Sequence, residues 1–407
     1  MPKNIVICCD GTGNQINDQI SNVLKLYRVL HKTSDQLVYY NPGVGTVGDY
    51  DSWQIAKQKV REFLGLATGY GLDDNVLDAY RFLCTHHEDG DEIWLFGFSR
   101  GAYTVRVLAA FVYVIGLLRP SQLNLADYAF TAYKKASHDS RKDGKLPEAD
   151  ALKIAAKKSS VGEVASGLPA AWEFARVAST KRATIKFIGV WDTVASVIVP
   201  RPDRLLLDLQ SLRFTRTNPG VEIFRQAISI DERRRMFRLH RWTEPQTFKS
   251  NPFNNKHWKP QDIRQVWFAG VHADIGGGYP EKGSGLSKYP LRWMIEQAHA
   301  AGLKMNTAMF NHLVLGHSRK DSQREYDPPS PDAEPHRSLK GFWWVLEFIP
   351  KLTKFRDWPL RPTFLGLYLP LAEPRPIAKN ALVDPSVEEH QQAHPEYQPV
   401  NLAERVP

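Results

Sequence analysis

Short apolar segments alternate with longer amphipathic segments over the first 300 residues of the chain. The apolar segments have the length and β-branched content of buried strands, and we predict strands at residues 4–9, 36–40, 92–96, 183–190, 224–230 and 265–271. Apolar positions recur at helical spacing in the segments 22–31, 74–86, 102–118 and 291–301. Strands that alternate with helices predict an α/β fold with a mostly parallel sheet flanked by helices.

Two segments interrupt this alternation. Residues 119–181 are helical in pattern, rich in alanine and lysine, and broken by polar turns, so we predict a helical insertion within a domain of residues 1–310. Beyond that point the chain becomes rich in proline and loses its periodicity. We therefore predict that residues 311–407 form an irregular C-terminal cap packed on the core.

A candidate nucleophile follows the third predicted strand. Residues 97–101 read Gly-Phe-Ser-Arg-Gly, and a predicted helix begins directly afterwards. In this G-x-S-x-G pattern the serine lies on a sharp strand-to-helix turn that exposes its hydroxyl group, and side chains at the glycines would collide with neighbouring backbone. We interpret Ser99 as a nucleophile and Gly97 and Gly101 as its elbow glycines. A purely structural turn is the alternative.

A nucleophilic serine needs a histidine as its base and a carboxylate that orients the histidine. In the α/β-hydrolase fold these residues occur in the order serine, acid, histidine, each after a strand. Asp192 and His272 satisfy this order, and His272 starts a glycine-rich loop that can bring it into a cleft. Asp274 is the alternative acid, but its position two residues from the base is awkward. We expect Asp274 instead to anchor loop 276–278 through backbone N–H groups.

The tetrahedral intermediate of ester hydrolysis carries an oxyanion that needs two N–H donors. The N–H of Arg100 directly follows the nucleophile, and we predict Gly11 as the second donor because glycine permits close backbone approach. Asp10, Thr12 and Asp274 are predicted to form part of the active-site rim. An ordinary Asp-Gly turn explains residues 10–12 equally well.

Two further motifs indicate other chemistry, and both are rejected. The strand before Asp10 is similar to the haloacid-dehalogenase phosphatase signature, but Cys8 occupies the position where that signature needs a nucleophilic aspartate. Residues 43–48 match G-x-G-x-x-G after a strand, yet Pro42 lies at the turn and acidic residues follow, where a pyrophosphate would have to approach. We expect the loop 43–48 to belong to the active-site rim.

Composition narrows the class of protein further. The chain has 407 residues and a net charge of +9. It has only three cysteines, which indicates a protein of a reducing compartment that has no disulfide framework. The first apolar run is too short for a signal peptide and the longest, 107–118, is too short to span a bilayer, so we expect cytoplasmic synthesis. No metal-binding spacing or nucleic-acid module is recognisable, and we expect neither a cofactor nor a nucleic-acid partner.

The motifs taken together resemble the catalytic domain of the class 1 type VI secretion phospholipase effectors and a wider bacterial and fungal family of α/β-hydrolase-like domains. The matching segments are IVICCDGTGN (5–14), NPGVGT (41–46), GFSRGAY (97–103), GVWDTV (189–194), AISIDERR (227–234) and FAGVHADIGGGY (268–279). The resemblance implies a Ser-Asp-His esterase at Ser99, Asp192 and His272. It also implies that some members cleave acyl chains from glycerophospholipids. Because the first apolar run is too short for a signal peptide, we expect any export to use a secretion system that needs no cleaved signal.

We therefore predict a serine hydrolase of carboxylic esters, a phospholipase or lipase, with an ester or phospholipid as its substrate. An esterase for small or carbohydrate-linked esters and a non-catalytic binding protein on the same fold are the alternatives. The aromatic residues of 342–346, near Lys351 and Lys354, predict peripheral membrane contact, although a cap that packs these rings on the core explains them equally well.

Overall fold

The computed structural model describes residues 2–11, 20–43, 71–139, 168–194, 198–201, 206–209, 212–250, 258–341, 343–353 and 356–405. The strands in these ranges are β1 (Asn4–Cys9), β2 (Gln36–Asn41), β3 (Glu92–Phe98), β4 (Ile185–Trp191), β5 (Ile198–Arg201), β6 (Leu206–Leu209), β7 (Val221–Ser229), β8 (Thr247–Phe248), β9 (Lys259–Pro260), β10 (Asp262–Phe268), β11 (Lys351–Leu352), β12 (Leu367–Tyr368) and β13 (Leu382–Val383). The α-helices are Asn22–Val29, Leu72–His86, Arg100–Ile115, Ala126–Asp139, Leu168–Val177, His272–Gly276, Gly285–Ala300, Thr307–Leu313, Trp343–Glu347, Pro385–Ala393 and Val400–Ala403, and a 3-10 helix spans Pro120–Leu125.

The largest sheet in the described ranges is parallel and has the strand order β13-β10-β7-β4-β3-β1-β2. The chain leaves β1 towards one edge to form β2 and then returns to form β3 on the other side of β1. The order of the strands therefore reverses between β1 and β3. In open α/β sheets the binding crevice forms at such a reversal, outside the carboxyl ends of the strands.

Helices cover both faces of this sheet, which explains why its central strands are apolar on both sides. Along β1, Ile5 and Ile7 join one hydrophobic cluster, and Val6 and Cys8 join the other, because successive side chains of a strand point to opposite faces. The first cluster contains the long helix Arg100–Ile115, which is buried over nearly its whole length. The second contains apolar side chains of the helices Asn22–Val29 and Gly285–Ala300.

The register of the parallel strands brings several loops to one level. Cys9 of β1 lies opposite Gly97 of β3, and Phe98 of β3 lies opposite Trp191 of β4. Each of these strands ends at or just after the paired position, so the residues that follow them emerge side by side. Loops that are far apart in the sequence thus meet at the carboxyl edge of the sheet.

The predicted α/β-hydrolase fold with its mostly parallel sheet is confirmed, but the C-terminal segment does more than cover it. Strand β13 pairs in parallel with β10, so this segment extends the central sheet. Apolar side chains of the same segment, including Ile377 and Val387, pack on Ile228 and Trp267 of the sheet. A strand of two residues has no periodicity that a sequence could reveal. The division of the chain at residue 310 stays a prediction.

The helices of the predicted insertion pack on the helix that follows the nucleophile turn. Ala126, Ala129, Phe130 and Ala171 belong to the same hydrophobic cluster as the helix Arg100–Ile115. Residues 140–167 of this insertion lie outside the described residues. None of the helices in the described ranges is both long and apolar enough to cross a membrane.

Candidate active site

Ser99 lies on a strained turn between β3 and the helix Arg100–Ile115. Its φ of 56° and ψ of −118° are unusual for a residue with a side chain, and such strain is concentrated at functional sites. A Cβ atom at Gly97 would lie 2.5 Å from the carbonyl oxygen of Gly101, and a Cβ at Gly101 would lie 2.1 Å from that of Cys9. Both positions therefore need glycine, as the G-x-S-x-G pattern predicts.

His272 reaches Ser99 across 173 positions of sequence. Its Nε2 lies 2.8 Å from Oγ of Ser99, within hydrogen-bond distance. The imidazole packs between Phe98, at 4.7 Å between ring centroids, and Phe237, at 4.8 Å. The residue was expected to start a glycine-rich loop, but it is the first residue of the single-turn helix His272–Gly276, and the glycines follow that turn.

Asp192 directly follows β4 and holds the other side of the imidazole. Its Oδ2 lies 2.5 Å from Nδ1 of His272, and its Oδ1 accepts a hydrogen bond from the backbone N–H of Ser229 at 3.1 Å. The carboxylate is fully buried. The fold thus brings the three predicted residues Ser99, His272 and Asp192 into one hydrogen-bonded series.

The electrostatic surroundings of Asp192 and His272 lower the pKa of both groups. Burial alone would raise the pKa of Asp192, but the Arg375 guanidinium and the hydrogen bond with His272 outweigh burial and hold that pKa well below its usual range. Burial lowers the pKa of His272, because it disfavours the imidazolium, and the hydrogen bond with Asp192 offsets this only in part. At neutral pH the pair is a carboxylate beside a neutral imidazole, which is the form of a general base.

Two buried residues of the site had no predicted role. Arg375 donates to Oδ1 of Asp192 at 2.5 Å and to Oδ2 at 3.1 Å. Glu232 accepts from the backbone N–H of His272 at 3.3 Å and forms a bidentate pair with Arg234. Glu232 lies within the motif 227–234, which pointed to its region. Arg375 stands between two prolines in a segment without a motif, and nothing in the sequence pointed to it.

The two predicted oxyanion donors differ in their surroundings. Arg100 is the first residue of its helix, where the helix dipole favours negative charge near the backbone N–H groups. Gly11 follows β1 beside the elbow, since Gly101 approaches the carbonyl groups of Cys9 and Asp10 closely. The N–H of Gly11 donates to Oδ1 of Asp10 at 2.7 Å, so it must exchange this partner before it can bind an oxyanion.

The residues predicted to form the active-site rim differ in whether and where the structure describes them. Asp10 is buried rather than on a rim, and its carboxylate accepts hydrogen bonds from Ser21 and from Tyr40. Thr12 lies outside the described residues, as does all of the loop 43–48 except Gly43. A Cβ at Gly43 would lie 2.8 Å from the carbonyl oxygen of Gly11, so the described end of that loop adjoins the predicted donor.

The role expected for Asp274 was wrong. Its carboxylate does not anchor the glycines 276–278 but accepts from the N–H of Val271 at 2.9 Å and pairs with Nδ1 of His336 at 2.7 Å. The reason is local: the turn formed by His272–Gly276 places a residue at its third position where it caps the N-terminal N–H groups. Asp274 is also separate from the imidazole of His272, whose Nδ1 is bound by Asp192.

Candidate metal ligands do not gather at this site or elsewhere in the described part of the chain. No group of three or more His, Cys, Asp or Glu side chains there could hold a metal ion. The site residues are a hydroxyl, an imidazole and a carboxylate, whose combined chemistry is proton transfer and nucleophilic attack.

Part of the predicted aromatic cluster lies next to the site. The ring of Trp343 lies 5.5 Å from that of Phe237, which in turn contacts His272. Phe342 and Lys354 lie outside the described residues. Lys351, named above as a neighbour of this cluster, is half-buried, and burial and the neighbouring arginines lower its pKa to about 8.

The parallel sheet and the strained serine turn at its carboxyl edge define a protein of the α/β-hydrolase fold. The chain belongs to the family described as "T6SS, Phospholipase effector Tle1-like, catalytic domain", whose model matches residues 3–297. Arg375 lies beyond this matched range.

Individual relatives cover the chain only in part. Uncharacterized protein YEL023C of Saccharomyces cerevisiae is 34% identical over 244 residues, which are 58% of this chain and 32% of that protein. A crystal structure of an uncharacterized protein from Pseudomonas aeruginosa is 17% identical with a TM-score of 0.35, and covers 75% of this chain and 46% of its own. The structure of the Tle1 effector bound to the VgrG spike of the Type 6 secretion system is 19% identical with a TM-score of 0.32, and covers 70% and 52%. This chain thus spans about a third to a half of the length of these relatives.

Proposed function

We propose that this protein is a serine hydrolase that cleaves the carboxylic esters of phospholipids, with Ser99 as nucleophile, His272 as general base and Asp192 as the residue that orients His272. The observation that carries the proposal is the distance of 2.8 Å between Oγ of Ser99 and Nε2 of His272, with Asp192 at 2.5 Å on the opposite nitrogen. The description of its family as phospholipase effector-like supports a phospholipid as the substrate.

In the first step, Nε2 of His272 takes the proton of Ser99 as Oγ attacks the ester carbonyl carbon. The carbonyl π electrons move to the oxygen, and a tetrahedral intermediate forms. When this collapses, the bond to the leaving alkoxide breaks and His272 protonates the alcohol. Water then attacks the acyl-serine through the same base, releasing the fatty acid and restoring the hydroxyl group of Ser99.

The oxyanion of this intermediate is assigned to the N–H of Arg100, at the start of the helix that follows Ser99. Gly11 stays the proposed second donor because its loop adjoins Gly101 of the elbow. Its N–H donates to Asp10 in this structure. Substrate binding must therefore turn that amide towards the carbonyl oxygen, and this movement is a part of the proposal.

The substrate class is tested with the nucleophile variant. Ser99→Ala abolishes hydrolysis of a p-nitrophenyl ester and labelling by a fluorophosphonate probe, while the exposed Ser121→Ala leaves both unchanged. Vesicles of diacyl phospholipid treated with the wild-type protein then yield lysolipid and free fatty acid. An enzyme that prefers short acyl esters and leaves vesicles intact is an esterase for small substrates. A wild-type protein that fails to react with the probe is not a serine hydrolase.

Lipid contact is proposed for the exposed apolar side chains of segment 343–369. They are the side chains of Trp344, Val345, Phe348, Ile349, Leu360, Phe364, Leu365, Leu367 and Leu369. Phe364 and Leu365 are the most exposed of these, at 78% and 85%, and Leu365 has a strained φ of 48°. Bulky apolar side chains held at an exposed turn are typical of a surface that inserts into a lipid membrane. The ring of Trp343 contacts Phe237, which lies beside His272, and so connects this segment to the site.

The lipid contact is tested separately from the chemistry. The double variant Phe364→Ser/Leu365→Ser lowers the rate on anionic vesicles about tenfold or more, because each apolar side chain that enters a membrane adds ~2 kcal/mol of affinity. The rate on a soluble ester stays the same. The matched control is Tyr128→Ser/Val177→Ser, whose residues are 67% and 71% exposed on the helices Ala126–Asp139 and Leu168–Val177. It leaves both rates unchanged. Equal losses in both pairs contradict the assignment.

Export is the final part of the proposal. The family description names type VI secretion effectors, which supports release of this chain by a secretion system of that type. A tagged chain that appears in the culture medium only when the secretion system of its host is intact supports this part. Equal amounts in the medium of a secretion-deficient strain contradict it.

A further inference from the structure

The C-terminal segment places a cation directly on the proposed triad. Arg375 is 7% exposed at its side chain, and its two terminal nitrogens each contact a different oxygen of Asp192, at 2.5 Å and 3.1 Å. This is the bidentate geometry for which a planar guanidinium is suited and an ammonium is not. Asp192 and Arg375 are 183 positions apart in the chain.

Arg375 is itself held by the walls of the site. Its Nη1 donates to the carbonyl oxygen of Ser229 at 3.3 Å and its Nη2 donates to that of Phe237 at 2.6 Å. The side-chain amide of Asn401 donates to the backbone carbonyl of Arg375 at 3.0 Å and to that of Ile230, directly after β7, at 2.9 Å. Asn401 thus connects the C-terminal segment to the end of β7. The guanidinium thus has a fixed position, and rigid support of this kind defines a site rather than a surface contact.

We propose that Arg375 is a positioning residue of the catalytic site: it fixes the orientation of Asp192 and keeps it ionised, so that His272 faces Ser99 as a neutral imidazole. Each oxygen of the buried Asp192 carboxylate accepts hydrogen bonds from two donors, which fixes the orientation of the carboxylate. The N–H of Ser229 and Nη1 bind Oδ1, while Nδ1 of His272 and Nη2 bind Oδ2.

The charge of Arg375 also acts on His272 through Asp192. An isolated buried carboxylate would stabilise the imidazolium strongly and raise the pH at which His272 becomes protonated. A guanidinium on the far side neutralises part of that effect. The other charged groups that act on His272 are Glu232, which favours protonation, and Arg234, which opposes it. Arg375 is the cation that contacts the carboxylate itself.

This inference deepens the proposed function and rests on it for the meaning of the catalytic pH profile, but its first measurement needs no turnover. The imidazole of His272 is titrated by NMR in the full-length wild-type, Arg375→Gln, Arg375→Lys and Arg225→Gln proteins, with a His272 variant for assignment. Arg375→Gln raises the pKa of His272 by about one unit, because the positive guanidinium no longer opposes the positive charge that His272 gains on protonation. Arg375→Lys keeps the charge and leaves the pKa close to that of the wild type.

Arg225→Gln is the matched control. Arg225 is likewise a buried arginine in an ion pair, with Asp262 at 2.6 Å, but it lies on β7 and has no contact with the triad. Its replacement costs stability and leaves the pKa of His272 unchanged. An Arg375→Gln protein with an unshifted pKa overturns the inference, and so does an equal shift in Arg225→Gln.

Kinetics separate orientation from stability. Arg375→Gln lowers kcat by about tenfold or more, moves the acid limb of kcat/KM to higher pH, and leaves KM for a soluble ester unchanged. Arg375→Lys keeps the acid limb but loses part of kcat, since a point charge cannot hold both oxygens. Added guanidinium ion, well below the concentration that unfolds the protein, restores activity to Arg375→Ala. Loss of activity without rescue and without a shift of the limb shows a purely structural role and overturns the inference.

Failure of the proposed function has a different signature. If the wild-type protein neither hydrolyses esters nor reacts with the fluorophosphonate probe, while the NMR shift appears in Arg375→Gln, the hydrolase assignment is wrong and the control of Asp192 by Arg375 stands. If the wild-type protein is active and the NMR shift is absent, the hydrolase assignment stands and Arg375 has no positioning role.

Discussion

Oγ of Ser99 lies 2.8 Å from Nε2 of His272, although the two residues are 173 positions apart and emerge from strands that do not pair with each other. The relationship depends on two backbone features. Ser99 has a positive φ of 56° at the turn that ends β3, and His272 begins a single helical turn directly after the loop that follows β10.

The pH dependence of activity should reflect the burial of His272. Its pKa lies below the ordinary value of 6.5, so the neutral imidazole persists to lower pH than in an exposed histidine. We expect the acid limb of kcat/KM for a soluble ester to have its midpoint below pH 6.5. Tryptophan fluorescence at each pH, from the 11 tryptophans of the chain, excludes acid unfolding as the cause. An acid limb above pH 6.5 would contradict the assigned environment.

Asp192→Asn should separate the role of the charge from that of the shape. The amide leaves the Arg375 guanidinium buried without its counter-charge and allows His272 the wrong tautomer. We expect kcat to fall by about 10⁴-fold and the free energy of unfolding to fall by about 3 kcal/mol. Ester hydrolysis and urea unfolding measure the two effects.

The stability part of that loss has a pH signature. The folded-state pKa of Asp192 is depressed, so the stability from its ionised form is present above the ordinary carboxyl pKa and is lost as pH falls towards the folded value. The difference in unfolding free energy between wild type and Asp192→Asn should therefore shrink in acidic solution. A difference that grows as the pH falls would show that the carboxylate does not stabilise the fold.

Gly101→Ala tests the close approach of the elbow to β1. A Cβ atom there would lie 2.1 Å from the carbonyl oxygen of Cys9, and backbone cannot move as a flexible side chain could. We expect a loss of about 3 kcal/mol or more of unfolding free energy, together with loss of activity. Gly366→Ala is the comparison, since alanine is strained at its φ of 76° but no atom lies within 4 Å of the added Cβ. It should cost only about 1 kcal/mol and preserve activity on a soluble ester, and a reversed order of the two losses would be inconsistent with the fold.

Removal of residues 311–407 tests the predicted domain boundary. This truncation deletes Arg375, strand β13 and the apolar side chains that cover β7 and β10. We expect the shortened chain to aggregate or to lack the cooperative unfolding transition of the full-length protein, because Ile228 and Trp267 lose their cover. Size-exclusion chromatography and thermal unfolding provide the measurement. A soluble, active fragment of residues 1–310 would show that the boundary marks an independent domain.

The sequence by itself determined the parallel sheet and the nucleophile turn. Both depend on short-range patterns: apolar strands of the right length, and a serine between glycines where only glycine can fit. It also predicted Asp192 and His272, because a residue that directly follows a buried parallel strand must emerge at the same edge of the sheet as its neighbours. The resemblance to a known family reinforced these residues without adding geometry.

Only the tertiary structure decided the rest of the site. Arg375 approaches Asp192 because β13 pairs with β10 and brings a segment without periodicity over the end of the sheet. Asp274 pairs with His336 rather than with the nearby glycines because a single helical turn intervenes. A bond between side chains many positions apart leaves no local signal in composition or spacing, since its energy exists only after the chain has folded.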